Sequence, residues 1–186
     1  LNIDKIHSMV GFATEGITGV SASHVEMNSG LQFFDGISTD DIQQILIKSA
    51  NDLISLDNPN YQFVAARLLL FSLRKNLFHR LWEHPKFIDH IKNLIDLGLY
   101  DKGILQNYTE AEIDRMGMWV DHERDYSFTY AGLRQVMDKY LVQDRSSGEI
   151  FETPQFMYMM ISATLFAKYP MESRLQYVKK YYDAIS

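Results

Sequence analysis

Apolar residues recur along this chain at intervals of three and four, separated by polar positions, and that rhythm predicts helices over most of its length. Ile3, Ile6, Val10 and Ala13 share one side of a helix expected from Ile3 to about Ile17, capped by Asn2 and ended by Gly16 and Gly19. A second helix is expected after Ser21 or Ser23. Gly36-Ile37-Ser38 then leads to an expected N-cap at Thr39, where Asp40 and Asp41 suit the positive end of the helix dipole. Ile42, Ile45, Leu46, Ala50 and Leu53 form the inner stripe of that third helix.

Asp57-Asn58-Pro59-Asn60 interrupts the pattern before a strongly apolar helix from Tyr61 to about Phe78, whose few polar members include Arg67, Arg74 and Lys75. Pro85 restricts His84 to extended conformations, which places a division near residues 78 to 84 and separates a first domain, 1–80, from a second, 81–186. The second is expected to hold helices from about Pro85 to Leu97, from Thr109 with Glu112 completing a capping box, and from Asp125 to Lys139. Tyr140–Gln143 and Glu149–Glu152 are β-prone runs around a polar loop, so one short hairpin is expected near 140–152 with Gly148 at positive φ. Thr153 and Pro154 then open a buried helix to Ala167, Pro170 closes it, and Leu175, Val178, Tyr182 and Ile185 line a last amphipathic helix. That helix meets Ser186 without a stop signal, so the chain is expected to continue beyond it. The fold class is mainly α: a helical bundle followed by a helical domain with one short hairpin.

A chain of 186 residues can bury roughly 70% of its unfolded surface, enough for a packed core. It has no cysteine, which excludes disulfides and thiolate metal sites. No run of about 18 apolar residues occurs and Leu1 to Lys5 is not a leader pattern, so neither a membrane span nor a signal peptide is expected, and the protein reads as cytoplasmic. The net charge of −6 argues against a general nucleic-acid binder. Positive charge is nevertheless concentrated: Arg67, Arg74, Lys75, Arg80, Lys86 and Lys92 face only Glu83 and Asp89 across positions 67–92, an excess that suits a small anion, although a solvated helix face is the commoner origin.

The phrase Tyr169-Pro170, Glu172, Arg174-Leu175-Gln176-Tyr177-Val178-Lys179, Tyr182-Asp183, preceded by the hairpin run Lys139-Tyr140-Leu141, Arg145, Gly148-Glu149-Ile150, resembles the N-terminal part of the large subunit of aerobic class I ribonucleotide reductases. The likeness continues back through Asp121-His122-Glu123-Arg124-Asp125, Gly98-Leu99-Tyr100, Tyr61-Gln62 and Ala65-Ala66-Arg67-Leu68 to Asn2–Lys5. The resemblance implies that 1–80 is an ATP-cone-like regulatory bundle and 81–186 the N-terminal helical domain of the subunit. It implies ATP and dATP as allosteric effectors, contacted at Asn2, Lys5, Thr39 and Lys75. The family's basic N-terminal hairpin lies before the equivalent of Leu1, and Gln43 stands where many members carry histidine, so the site is expected to be incomplete. The same resemblance implies the remainder of the large subunit, a small radical-generating subunit and a homodimer as partners, with reduction of ribonucleotides by thiyl-radical chemistry on cysteines that this stretch lacks. A non-catalytic helical module docking through Leu175–Ile185 onto a separately encoded chain is the competing expectation.

Other candidates have simpler readings. His79, His84 and His90 are spaced five and six apart, which does not stack them on one helix face, so no metal is expected in this chain. His122, flanked by Glu123 and Asp125, resembles an acid/base cluster, yet neighbouring helix residues do not face one another, and capping or salt bridging is the expected role of Asp121–Asp125. The aromatic and methionine content of Phe156–Phe166 suits core packing.

Overall fold

The computed structural model describes residues 2–30, 32–80 and 82–186. Among them ten α-helices form: α1 Ile3–Thr14, α2 Ala22–Gly30, α3 Thr39–Asp52, α4 Tyr61–Phe78, α5 Phe87–Asp96, α6 Gly103–Asn107, α7 Glu110–Trp119, α8 Tyr130–Lys139, α9 Pro154–Phe166 and α10 Arg174–Ile185. A 3-10 helix, His122–Ser127, precedes α8. No helix is long and apolar enough to cross a membrane among the described residues.

Internal packing divides the chain into two units: residues up to Asn76 with Tyr126–Val136, and Leu77–Asp125 with Met137–Ser186. Leu81, beside the expected division at 80/81, lies outside the described residues. In the first unit α2 packs on α1 and α3. Ile6, Val10 and Ala13 of α1 and Leu46 and Ala50 of α3 are buried as the three-and-four rhythm selects, whereas Ile3 is exposed, Ile42, Ile45 and Leu53 are only half-buried, and Ile47, outside the expected stripe, is buried. α4 is buried along most of its circumference, from Tyr61 to Arg74, as its nearly unbroken apolar sequence requires. In the second unit α5 packs on α7, and α10 on both α7 and α9. Phe87, Ile91, Ile113, Met116, Phe156 and Tyr182 sit in one buried cluster with their neighbours.

Local chemistry explains the boundaries. Asn2 accepts from the Lys5 amide at 3.1 Å and starts α1, which stops at Thr14, short of Ile17, with Gly16 at φ 70°. Thr39 is not the cap of α3. Ser38 takes that place, its hydroxyl accepting from the Asp41 amide at 3.0 Å, and Thr39 is the first helical residue. Thr109 and Glu112 form the complete capping box at α7. Thr153 caps α9 with Pro154 at the first position.

Three regions depart from expectation. The helix expected from Asp125 is split: Thr129 accepts from the Gly132 amide at 3.1 Å and starts α8 afresh, while Asp121 accepts from the Glu123 amide and holds the tighter 3-10 turn before it. The hairpin near 140–152 closes through Asp144 N–H to Glu149 O at 2.8 Å, with Gly148 at φ 76°, yet pairs as one antiparallel bridge, Gln143 with Ile150, and not as two strands. Arg145 bonds the carbonyls of Asp138 and Lys139 at the end of α8, and the Glu152 side chain takes the Val142 amide, so a side chain replaces a further ladder bond. The α10 stripe turns inward: Val178 and Tyr182 are buried and Leu175 packs against the same core, which removes that stripe as a docking face.

Candidate functional site

The four positions singled out for nucleotide contact all fall in the first unit, near helix starts and one helix end. Asn2 and Lys5 belong to the first turn of α1, where the Asn2 carboxamide already satisfies one amide. Thr39 opens α3, and its exposed hydroxyl stands beside the helix amides that a bound anion could use. Lys75, in the last turn of α4, reaches Asp40 Oδ1 at 3.6 Å and so brings its charge to the first turn of α3. The structure thereby joins Lys75 to the α3 start, and Asn2 to Lys5. Gln43, one turn after Thr39, is buried, and its amide nitrogen lies 3.8 Å from the Met9 sulfur. Asp40 and Asp41 share the α3 first turn, so an incoming phosphate meets two carboxylates there, one already paired with Lys75 and one bonded to the Ser38 hydroxyl. This arrangement can receive an anion, but competes with it.

The cations of residues 67–92 do not form one anion patch. Arg74 is only 2% exposed and donates to the Tyr126 hydroxyl at 3.0 Å, with its guanidinium 5.1 Å from that ring's centre. Arg67 lies 5.6 Å from the same ring and donates to the Glu15 carbonyl at 2.6 Å, just past the end of α1. Burial lowers the Arg67 pKa, with Tyr126 and Glu15 opposing that trend. Arg80 is paired with Glu83, and Lys92 with Glu110 at 3.3 Å. Two of the six are therefore internal fasteners of the first unit, and two more are surface ion pairs of little energetic weight.

In the second unit several buried polar side chains are bonded to one another. Arg174 donates to both Glu112 oxygens at 2.8 and 2.6 Å, a bidentate pair at the start of α10 that also lies 4.4 Å above the Tyr108 ring. The Arg174 bond holds the Glu112 carboxyl below the usual carboxylate range, against desolvation. Asp125 accepts from Gln155 at 2.9 Å, the Gln155 carbonyl accepts from the Tyr182 hydroxyl, and that hydroxyl accepts the Asp121 amide at 2.9 Å. Glu152 accepts from Tyr100 and from the Val142 amide; burial raises its pKa, and raises that of Tyr100 further. Asp121 and Asp125 thus act as bonding and capping groups, as their spacing suggested. Arg174, Gln155 and Glu152 were not legible as internal partners; Gln155 gave a signal as a polar residue at the start of an apolar run, whereas Arg174 lies among Glu172, Ser173 and Gln176 and gave none. No group of three or more metal-ligating side chains gathers among the described residues.

Residues 126–186 match the family described as ribonucleotide reductase, all-alpha domain. The whole chain is 49% identical over 186 residues to the ribonucleoside-diphosphate reductase 1 subunit alpha of Escherichia coli, covering 100% of this chain and 24% of that protein. The subunit alpha of bacteriophage T4 is 42% identical over 182 residues, 98% of this chain and 24% of the relative. That of Helicobacter pylori is 36% identical over 170 residues, 89% of this chain and 20% of the relative. The chain spans about a quarter of the length of the first of these relatives.

Proposed function

Because the chain belongs to the ribonucleotide reductase family, through its all-alpha domain at 126–186 and its unbroken similarity to the N-terminal region of alpha subunits, we propose that it is the regulatory and scaffolding part of a ribonucleoside-diphosphate reductase large subunit. The observation that carries this is identity of 49% sustained over all 186 residues. The complete enzyme would reduce ribonucleotides to deoxyribonucleotides in the cytoplasm, with a thiyl radical formed on a cysteine. This stretch has no cysteine, so that chemistry belongs to the remainder of the subunit, and the radical to a small partner subunit. Residues 1–80 would serve as the ATP-cone-like regulatory part and 81–186 as the helical domain, and the complete subunit would act as a homodimer.

Asn2, Lys5, Thr39 and Lys75 are the proposed contacts for ATP and dATP. Lys75 beside the α3 start supports this role, since a cation and free helix amides together suit a phosphate. Asp40, Asp41 and the buried Gln43 support the view that the site is incomplete, because none of them donates a charge-assisted bond to an anion. Titration calorimetry of the 186-residue chain with ATP and dATP tests this directly. Dissociation constants no tighter than about 1 mM are expected, weakened further in Lys75→Ala; saturable binding at micromolar concentrations would overturn the incompleteness. Joining the chain to the remainder of an alpha subunit and supplying the small subunit tests the wider proposal, which requires deoxyribonucleotide formation by the joined protein.

A further inference from the structure

Asp35 and Gly36 form the one aspartyl-glycyl step in the chain, and no asparaginyl-glycyl step accompanies it. They fill the central positions of a tight turn between α2 and α3, closed by the Ile37 amide donating to the Phe34 carbonyl at 3.3 Å. Gly36 stands at φ 87°, and His79 alone among the described non-glycine residues has positive φ, so Asp35 does not; that is the pattern of a type II turn. Both residues are exposed, and a Cβ at Gly36 would meet nothing within 4 Å, so no packing restrains this turn. Nothing in the proposed reductase role uses it.

We propose that Asp35 is a self-modification site, whose side chain condenses with the following amide to a cyclic imide and reopens as isoaspartate, lengthening the backbone ahead of α3 by one methylene. The Gly36 nitrogen forms a bond to the Asp35 side-chain carbonyl carbon, and one carboxyl oxygen leaves as water with the amide proton and a proton from solvent. Water then cleaves one of the two carbonyl–nitrogen bonds of the ring and restores the original composition. Cleavage on the main-chain side routes the chain through the former side chain. Water is the only co-reactant.

The turn favours this step at Asp35 over other aspartates. In a type II turn the nitrogen after the second residue points away from that residue's side chain, and the joining peptide plane must flip to bring it round. Glycine accepts φ of either sign, so Gly36 fits the turn before and after the flip, and it puts no side chain beside the attacking nitrogen. Every other aspartate precedes a residue with a side chain, and some carboxylates are already engaged: Asp101 accepts the Gly103 amide at 2.7 Å, and Asp144 the Ser146 amide at 2.8 Å.

The consequence falls on α3. Gly36 lies two positions before Ser38, whose hydroxyl accepts from the Asp41 amide at 3.0 Å and donates to the Asp41 carboxylate at 2.7 Å. That cap depends on the extended backbone of Ser38, at φ −71° and ψ 156°, and an added methylene displaces the chain that leads into it. The chemistry needs nothing from the proposed nucleotide contacts.

Peptide mapping with electron-transfer fragmentation, after the 186-residue chain has stood at neutral pH and physiological temperature, tests the site. Isoaspartate is expected at position 35 at several-fold the level at Asp57, which is also exposed but precedes Asn58. Asp35→Glu keeps the charge and would have to close a larger ring, so it should lose the signal at that position. On ageing, the unsubstituted chain should lose more of its melting temperature than Asp35→Glu does. Isoaspartate at position 35 no higher than at Asp57, or equal losses of melting temperature in the two proteins, would overturn the proposal. The first comparison needs no variant.

Discussion

His90 shows how one buried side chain sets a pH dependence. It is 4% exposed, packed between Phe156 and Tyr100, and its pKa falls from the ordinary 6.5 to about 4 through desolvation. The unfolded chain therefore binds a proton near pH 6.5 that the folded chain refuses until about pH 4, so this contribution is complete above pH 6.5 and is lost as pH falls between those values. A shift of that size corresponds to about 3 kcal/mol. Urea unfolding at pH 7 and pH 4.5 is expected to show a loss of this order, reduced in His90→Phe; an unchanged loss in the variant would refute the assignment. Glu112 makes a second residue-scale case. Its role in the capping box was legible, because Thr109 and Glu112 are three residues apart. Its bond to Arg174, 62 residues away, was not, since no local spacing encodes it. Arg174 is 6% exposed, so Glu112→Gln strands a buried charge and is expected to cost about 3–5 kcal/mol, whereas the pair Glu112→Gln with Arg174→Met should recover most of that loss. Thermal unfolding of the three variants checks the order.

At the scale of elements, the adjacent hydroxyls Ser38 and Thr39 illustrate where periodicity runs out. Both are good caps by residue type, and only the backbone decides which one turns outside the helix; Ser38 does, at φ −71° and ψ 156°. Ser38→Ala is accordingly expected to destabilise the first unit by about 1 kcal/mol, and Thr39→Ala by no more than a few tenths. Chemical denaturation of both variants distinguishes them, and an equal loss would mean that the cap had been misplaced. Helices such as α3, with its apolar stripe, and α4 and α9, with their nearly unbroken apolar runs, were readable because the apolar pattern and good terminators agree. The 3-10 turn at His122–Ser127 and the five-residue α6 were not, because side chains already bonded to nearby backbone decide them. The single bridge of the expected hairpin has the same origin: the Glu152 side chain satisfies the Val142 amide that a longer ladder would have used.

For the molecule as a whole, the absence of cysteine carries the plainest expectation. The chain incubated with a ribonucleoside diphosphate, a dithiol reductant and the small subunit should form no deoxyribonucleotide, and any turnover by it alone would refute the division of labour proposed above. The mainly helical class, the family and the Asn2 cap were legible in the sequence, whereas the approach of Lys75 to the α3 start needed the structure, since Lys75 and Asp40 meet across 35 positions. Tyr126 has a practical consequence for anyone who trims this gene. The first unit takes Tyr126–Val136 from far downstream, and Arg67, Phe71 and Arg74 all lie against the Tyr126 ring. A single stop codon after position 80 would therefore discard part of what it was meant to isolate, and the excised piece should melt below the intact chain until residues 126–136 are spliced back.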